Sequence, residues 1–367
     1  MVIVFMYKHT LMIKEIVRKQ ILNLKPYTPE ERGFPVMLDA NESPFQLPAG
    51  IKAGIMKKAG ELAFNRYPDP LGNELKKAIS RALSVTPDKI VLGNGSDELI
   101  LYLIAAFGRR GYNVLYPVPT FSMYGIIANC LGNNGTGIPL TEKFELDRSA
   151  FIKTLKERKI SIVFFSYPNN PTGNCFSRET ILEVIKTFKG IVVVDEAYGD
   201  FSGKTFLPLI NKYRNLVILK TFSKIGLSSL RLGYLISNPE VAGIVEKVRL
   251  PFNVNSFSQA CGEVFASKKK TMQKYIDEII KGREYLFKEL VKFPGIIPFN
   301  SEANFILFRV VGKSGFLHSE LKKRGILIRN LNQKGLLSDC LRVTVGTVSE
   351  NRIFIKAMTE LCKRSEK

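Results

Sequence analysis

Between residues 48 and 250, short apolar runs alternate with longer stretches in which apolar positions recur every three or four residues. The runs at 90–92, 113–116, 162–165, 191–194, 216–219 and 232–236 predict strands. Their unbroken hydrophobicity, in place of a polar residue at every second position, predicts burial on both faces. The stretch 96–107 sets Leu99, Ile100, Leu103, Ile104 and Phe107 on one helical face, with Ser96 or Asp97 expected as its cap. Repeated strand-helix units of this kind build an α/β fold around a mostly parallel sheet. After Pro251 the pattern changes. Residues 257–292 read as one long helix with Ile276, Ile279, Leu286 and Leu290 on its apolar side. Strands at 304–308, 326–328 and 341–345 and a closing helix at 349–364 then predict a smaller α+β unit. The expected division is an N-terminal arm with part of the small domain over 1–47, a large domain over 48–251 and a small C-terminal domain over 252–367. Residues 1–11 read as an extension ahead of an amphipathic start at Met12.

With 367 residues, 45% of them hydrophobic, the chain can bury a large core and divide into about two domains. No apolar run approaches the ~20 residues of a membrane-spanning helix, and nothing suggests disorder or collagen. The five cysteines are scattered and include no CxxC pair, which fits a reducing compartment and a cytoplasmic protein. The two histidines, His9 and His318, have no partner at metal-ligand spacing, so neither a metal centre nor a histidine relay is expected. A formal net charge of +21 invites a nucleic-acid-binding reading. The basic residues are spread along amphipathic stretches, however, apart from the clusters at 268–270 and 322–324, and no nucleic-acid motif accompanies them. A positive surface equally concentrates anionic substrates. Nucleic-acid binding is therefore the remote alternative.

In an open parallel sheet the ligand crevice lies beyond the carboxyl ends of the strands, which directs attention to the polar residues after each apolar run. Gly93-Asn94-Gly95-Ser96-Asp97-Glu98 is a glycine turn entering a helix, where free N–H groups can hold a phosphate, although an ordinary tight turn has the same sequence. Tyr167-Pro168-Asn169-Asn170-Pro171-Thr172-Gly173 fixes a loop from which an Asn amide can reach a ligand oxygen. Asp195 and Tyr198 place a carboxylate and a phenol at another strand end. Thr221, Ser223, Lys224 and Arg231 bring hydroxyls, an amine and a guanidinium together within eleven residues. Arg342 sits in an apolar strand and needs an anionic partner if it faces inward.

These parts meet the needs of pyridoxal phosphate: a lysine for covalent attachment, a carboxylate for the pyridine nitrogen, donors for the ring oxygen and ligands for the phosphate. Through Asn169-Asn170-Pro171-Thr172-Gly173, Asp195-Glu196-Ala197-Tyr198 and Ser223-Lys224 with Arg231, the sequence resembles the fold type I pyridoxal-phosphate-dependent aminotransferases. More narrowly it resembles the histidinol-phosphate aminotransferases, through Leu38-Asp39-Ala40-Asn41-Glu42-Ser43-Pro44, Asn65-Arg66-Tyr67-Pro68, Gly93-Asn94-Gly95-Ser96, Asn253-Val254-Asn255 and Leu341-Arg342-Val343. The resemblance runs from about Met12 to the C-terminal helix.

It implies a large domain with a mostly parallel sheet, a smaller α+β domain, and a homodimer without membrane or specific nucleic-acid partners. It assigns covalent attachment and proton transfer to Lys224, the pyridine nitrogen to Asp195, the ring oxygen to Asn170 and Tyr198, and a stacking ring to Phe121. Gly95, Ser96, Asp97, Thr221, Ser223 and Arg231 would hold the phosphate, with Tyr67 reaching the phosphate of the neighbouring subunit. Tyr27, Asn41, Arg329 and Arg342 would bind substrate. The implied reaction exchanges an amino group between histidinol phosphate and 2-oxoglutarate in histidine biosynthesis. An aromatic amino-acid aminotransferase and a threonine-phosphate decarboxylase of the same fold are the alternatives. One departure bears on Arg231: it lies seven residues after Lys224, one fewer than the resemblance leads one to expect.

Overall fold

The computed structural model describes residues 16–22, 24, 26 and 33–364. Twelve strands run through them: β1 (Val36–Leu38), β2 (Ile90–Gly93), β3 (Asn113–Val118), β4 (Asn134–Pro139), β5 (Ile160–Ser166), β6 (Ile191–Asp195), β7 (Leu216–Thr221), β8 (Gly233–Ser237), β9 (Ile296–Pro298), β10 (Phe305–Val310), β11 (Ile326–Asn330) and β12 (Cys340–Thr344). The larger sheet has the order β2-β8-β7-β6-β5-β3-β4, and only β8 runs antiparallel to its neighbours.

Alternate side chains of each central strand enter different cores, which is why the runs carry no polar positions. On β5, Ile162 and Phe164 pack with Leu99, Leu103 and Ile127 of two helices on one face, while Val163 and Phe165 pack with Phe151, Ile181 and Val184 on the other. Each such side chain contributes about 1.5–3 kcal/mol by leaving water. The sequence pattern missed β4. It carries Asn134, Gly135, Thr136 and Gly137, pairs only with β3 at the sheet edge, and buries little besides Ile138, so no periodicity marks it.

The helix expected over 257–292 is two helices, Ser256–Ala266 and Lys269–Leu290. Asn255 caps the first by accepting the Ser258 N–H. That helix packs on the helices Ala49–Gly60 and Asn73–Leu83, where the bare Cα of Gly262 admits Leu75 and Leu232. These contacts are with the larger unit, so we propose that it extends to about residue 266 and that the expected boundary at 251 falls too early. The smaller sheet has the order β1-β11-β12-β10-β9. The helices Lys269–Leu290 and Val348–Arg364 cover it with Ile276, Ile279, Leu286, Phe354 and Met358. β1 joins it parallel to β11 and delivers residues 39–41 to the junction with the larger sheet.

Candidate active site

A cavity of about 930 Å³ opens at that junction, and Asn41, Phe121, Asn170, Tyr198, Lys224, Arg329 and Arg342 line it. Of the remaining expected residues, Gly95, Ser96, Asp97, Asp195, Thr221, Ser223 and Arg231 are not on the wall of this cavity, Tyr27 lies outside the described residues, and Tyr67 stands apart, 81% exposed and stacked on Phe252 at 4.5 Å.

Asp195 ends β6 and is buried. Its Oδ2 accepts the Tyr124 hydroxyl at 2.7 Å and its Oδ1 accepts the Ala197 N–H at 3.0 Å, leaving lone pairs on both oxygens. Burial pushes its carboxyl up to about 6, with Asp97 and Glu196 adding to the rise and the two hydrogen bonds opposing it. Glu196 turns the other way. It accepts the Phe206 N–H at 2.7 Å and pairs with buried Lys220 at 3.3 Å, which fixes the turn between Asp195 and Tyr198. The raised value carries a stability prediction for the chain without ligand. A folded-state pKa of about 6 against 3.8 means that the folded chain keeps a proton the unfolded chain has lost, so this group's contribution is full below 3.8 and is lost as pH rises to about 6. The difference amounts to about 3 kcal/mol. Unfolding of ligand-free Asp195→Asn should therefore gain on wild type from pH 4 to pH 7, and parallel stability profiles for the two chains would contradict the assignment.

Lys224 follows β7 with its Nζ 3.5 Å from the Ala40 carbonyl and 5.6 Å from the centre of the Tyr198 ring. The Tyr198 oxygen accepts Asn41 Nδ2 at 2.9 Å, which leaves its own proton free to donate. Asn41 holds a positive φ of 54° and is bound on both sides by Thr344, with its N–H donating at 3.0 Å and its Oδ1 accepting at 3.2 Å.

Gly95 precedes the helix Ser96–Phe107 with φ 85° and no side chain caps that helix, so Ser96 and Asp97 are its first residues and not its cap. The first-turn N–H groups stay open to an anion. Arg231 crosses to this turn. Its Nη2 lies 2.7 Å from Asp97 Oδ2, and a Cβ on Gly95 would meet the same nitrogen at 2.6 Å. The short Lys224-to-Arg231 spacing is absorbed by a wide turn at Ser223–Leu227, where Gly226 has φ 127°, and by Arg231 itself at φ 49°. Thr221 Oγ1 accepts the Ser223 N–H at 3.1 Å and lies 3.0 Å from the Ser223 hydroxyl, so both hydroxyls sit beside this turn.

Arg342 is buried on β12, its guanidinium 5.2 Å above the Phe305 ring. Its Nη1 donates to Asn170 Oδ1 and its Nη2 to the Asp39 carbonyl, each at 2.6 Å, and the Asp39 carboxylate, on which Arg342 and Arg329 both pull, supplies a negative charge beside it. Arg329 stands directly opposite it across the β11-β12 ladder. Two like charges in register repel unless an anion joins them. The site thus offers a buried carboxylate for a ring cation, an open helix start for a phosphate, a lysine amine on the cavity wall, and paired arginines for substrate anions.

Two residues that face this site were not foreseen. Tyr124 reads in the sequence as one more core aromatic of a helix, and only its hydroxyl contact distinguishes it. Asp39 lines the cavity with a buried Oδ1 that has no hydrogen-bond partner among the described residues, and burial raises its carboxyl against the pull of Arg329 and Arg342. Among the described residues no helix is long and apolar enough to cross a membrane, and no group of three or more His, Cys, Asp or Glu could hold a metal ion.

The model of the family described as aminotransferase class I and II matches residues 35–358. A protein of Nitrosococcus oceani named histidinol-phosphate aminotransferase 2 is 41% identical over 94% of this chain and 97% of its own length. The crystal structure of the histidinol-phosphate aminotransferase from Clostridium acetobutylicum is 27% identical with a TM-score of 0.83, over 90% of this chain and 99% of that one. The Sinorhizobium meliloti structure of the same name, in complex with pyridoxal-5'-phosphate, is 22% identical with a TM-score of 0.86, over 95% and 98% of the two chains, and shares the fold.

Proposed function

The chain belongs to the class I and II aminotransferases, pyridoxal-phosphate-dependent enzymes of fold type I, and on that premise we propose that it exchanges the amino group of L-histidinol phosphate for the oxo group of 2-oxoglutarate in histidine biosynthesis. The observation that carries this reading is the pair of cross-strand arginines, Arg329 and Arg342, in one cavity with Lys224. A substrate that brings an anionic group, as histidinol phosphate and 2-oxoglutarate both do, relieves their repulsion.

The residues fit the cofactor. Asp195 is a buried carboxylate with acceptor capacity left, and Gly95 and Gly233 keep the helix start close to Arg231 and bare of side chains. When bound, pyridoxal phosphate supplies the carbonyl that takes up the amino group and the ring that accepts the electron pair released at Cα. Asp195 holds the positive charge at the ring nitrogen. Gly95, Ser96, Asp97, Thr221, Ser223 and Arg231 would hold the phosphate, with Asp97 orienting Arg231. Asn170 Nδ2 and the Tyr198 hydroxyl would be the donors for the ring oxygen, and Phe121 would supply the stacking ring. Lys224 Nζ would be the amine that holds the cofactor and the base that takes up the proton released at the substrate Cα. Asn41 fixes Tyr198. Arg342 binds phosphate in one half-reaction and carboxylate in the other, its planar fork matching both.

Purified enzyme supplied with 2-oxoglutarate should turn over histidinol phosphate with a kcat/KM at least about a hundredfold above phenylalanine, the range that buried polar recognition supports. A preference for aromatic amino acids, or release of carbon dioxide from a phosphorylated amino acid, would move the chain to another substrate within the same fold.

We also read the enzyme as a cytoplasmic homodimer. Phe64, Tyr67 and Leu71 on one loop and Leu250 and Phe252 on another are exposed apolar residues joined by the Tyr67-Phe252 stack, a patch that a second copy would cover. Tyr67 then reaches the phosphate held by the partner chain. Sedimentation at micromolar concentration should give a species of two chains, and a monomer with full activity would exclude the shared site.

A further inference from the structure

Tyr124 is fully buried in the helix Met123–Cys130, and two rings fix its orientation. Phe164 of β5 stacks on it at 4.7 Å with planes 13° apart, and Phe121 meets it edge-on at 5.7 Å and 83°. Held this way, its hydroxyl donates to Asp195 Oδ2 at 2.7 Å, with the Ser166 hydroxyl as its second neighbour. Phenylalanine would fill the same slot and make the same ring contacts. A buried hydroxyl costs free energy unless its hydrogen bond repays the desolvation, so packing alone gives no reason for the oxygen.

Building on the cofactor reading above, we infer that Tyr124 is a positioning residue for the ring nitrogen of pyridoxal phosphate: by donating to Oδ2 it holds Asp195 as the carboxylate and keeps the shared proton on the nitrogen. The proton has two resting places. It sits either on the ring nitrogen, facing a carboxylate, or on Asp195, facing a neutral ring. A donor at Oδ2 lowers the proton affinity of the carboxylate and so favours the first arrangement, which is the one in which the ring accepts electrons. Tyr124 gives up no proton of its own, and burial together with the neighbouring charge of Asp195 keeps its phenol well above the ordinary range. Phe121, which lies over the same ring in this reading, packs on the edge of Tyr124, so one side chain braces both the face and the nitrogen of the cofactor.

The test loads the full-length enzyme with pyridoxal phosphate labelled with 15N at the ring and compares wild type with Tyr124→Phe, each also carrying Asp195→Asn. In wild type the nitrogen should resonate as a pyridinium. In Tyr124→Phe it should move toward neutral pyridine, with the midpoint of its pH titration lowered by about one unit and the cofactor dissociation constant raised about tenfold, the size of a charge-assisted hydrogen bond. In the Asp195→Asn background the same substitution should change the affinity less than twofold and leave the nitrogen where it was, because the effect runs through Asp195. An unmoved nitrogen in Tyr124→Phe with cofactor bound, or an equal loss of affinity in both backgrounds, would overturn the inference and leave Tyr124 a packing residue. A wild-type chain that takes up no pyridoxal phosphate would instead overturn the cofactor reading on which the inference rests.

Discussion

Replacement of Lys224 by alanine is expected to lower transamination of histidinol phosphate by about four orders of magnitude or more, because one amine serves as both nucleophile and proton carrier. The fold should survive. Lys224 is only half-buried, and its described contacts are a 3.5 Å approach to the Ala40 carbonyl and a 5.6 Å cation contact with the Tyr198 ring. Together these are worth about 1 kcal/mol, a shift of a few degrees in unfolding temperature. Cofactor should still bind through the Gly95 turn and Arg231, but borohydride should no longer fix it to the chain. Turnover within tenfold of wild type would remove Lys224 from the reaction, whatever happened to stability.

Arg342→Met is expected to cost about two to three orders of magnitude in kcat/KM for both histidinol phosphate and 2-oxoglutarate, the range for removing one member of a desolvated, hydrogen-bonded charge pair. Methionine keeps a flexible apolar stem over Phe305, so the loss reports the guanidinium and not the packing. Arg342→Lys should recover only part of it, since an ammonium lacks the planar fork. Separate measurement of the two half-reactions is the sharper form of this test. Loss in one of them alone would show that the two anions use different arginines, with Arg329 across the β11-β12 ladder the first candidate for the other.

The central strands were legible in the sequence because burial on both faces leaves unbroken apolar runs, and candidate site residues were legible because a parallel sheet places them directly after those runs. Asp195 and Lys224 both follow this rule. What escaped lacks such a mark. β4 is a half-exposed edge strand of small and polar residues. The break at Ser267 interrupts two helices of the same period, so only tertiary contact separates Ser256–Ala266, which packs on the larger unit, from Lys269–Leu290. The start of the helix at Ser96 was misread because Ser and Asp favour caps, whereas here the close crossing of Arg231 leaves room only for glycine at that position. Tyr124 looks the same in sequence whether its hydroxyl is idle or bound. Arg342 reads in the sequence as a cation in an apolar strand that needs a partner if it faces inward, but the oxygens of Asn170 and Asp39 that receive it lie 172 and 303 residues away along the chain.

The most direct measurement is a single half-reaction. Histidinol phosphate is added to the purified, cofactor-loaded enzyme with no oxo acid present, and the visible absorbance of the bound cofactor is followed. Stoichiometric loss of the visible band is expected, with its return when 2-oxoglutarate is added. A band that histidinol phosphate leaves unchanged, while aromatic amino acids bleach it, would contradict the proposed substrate.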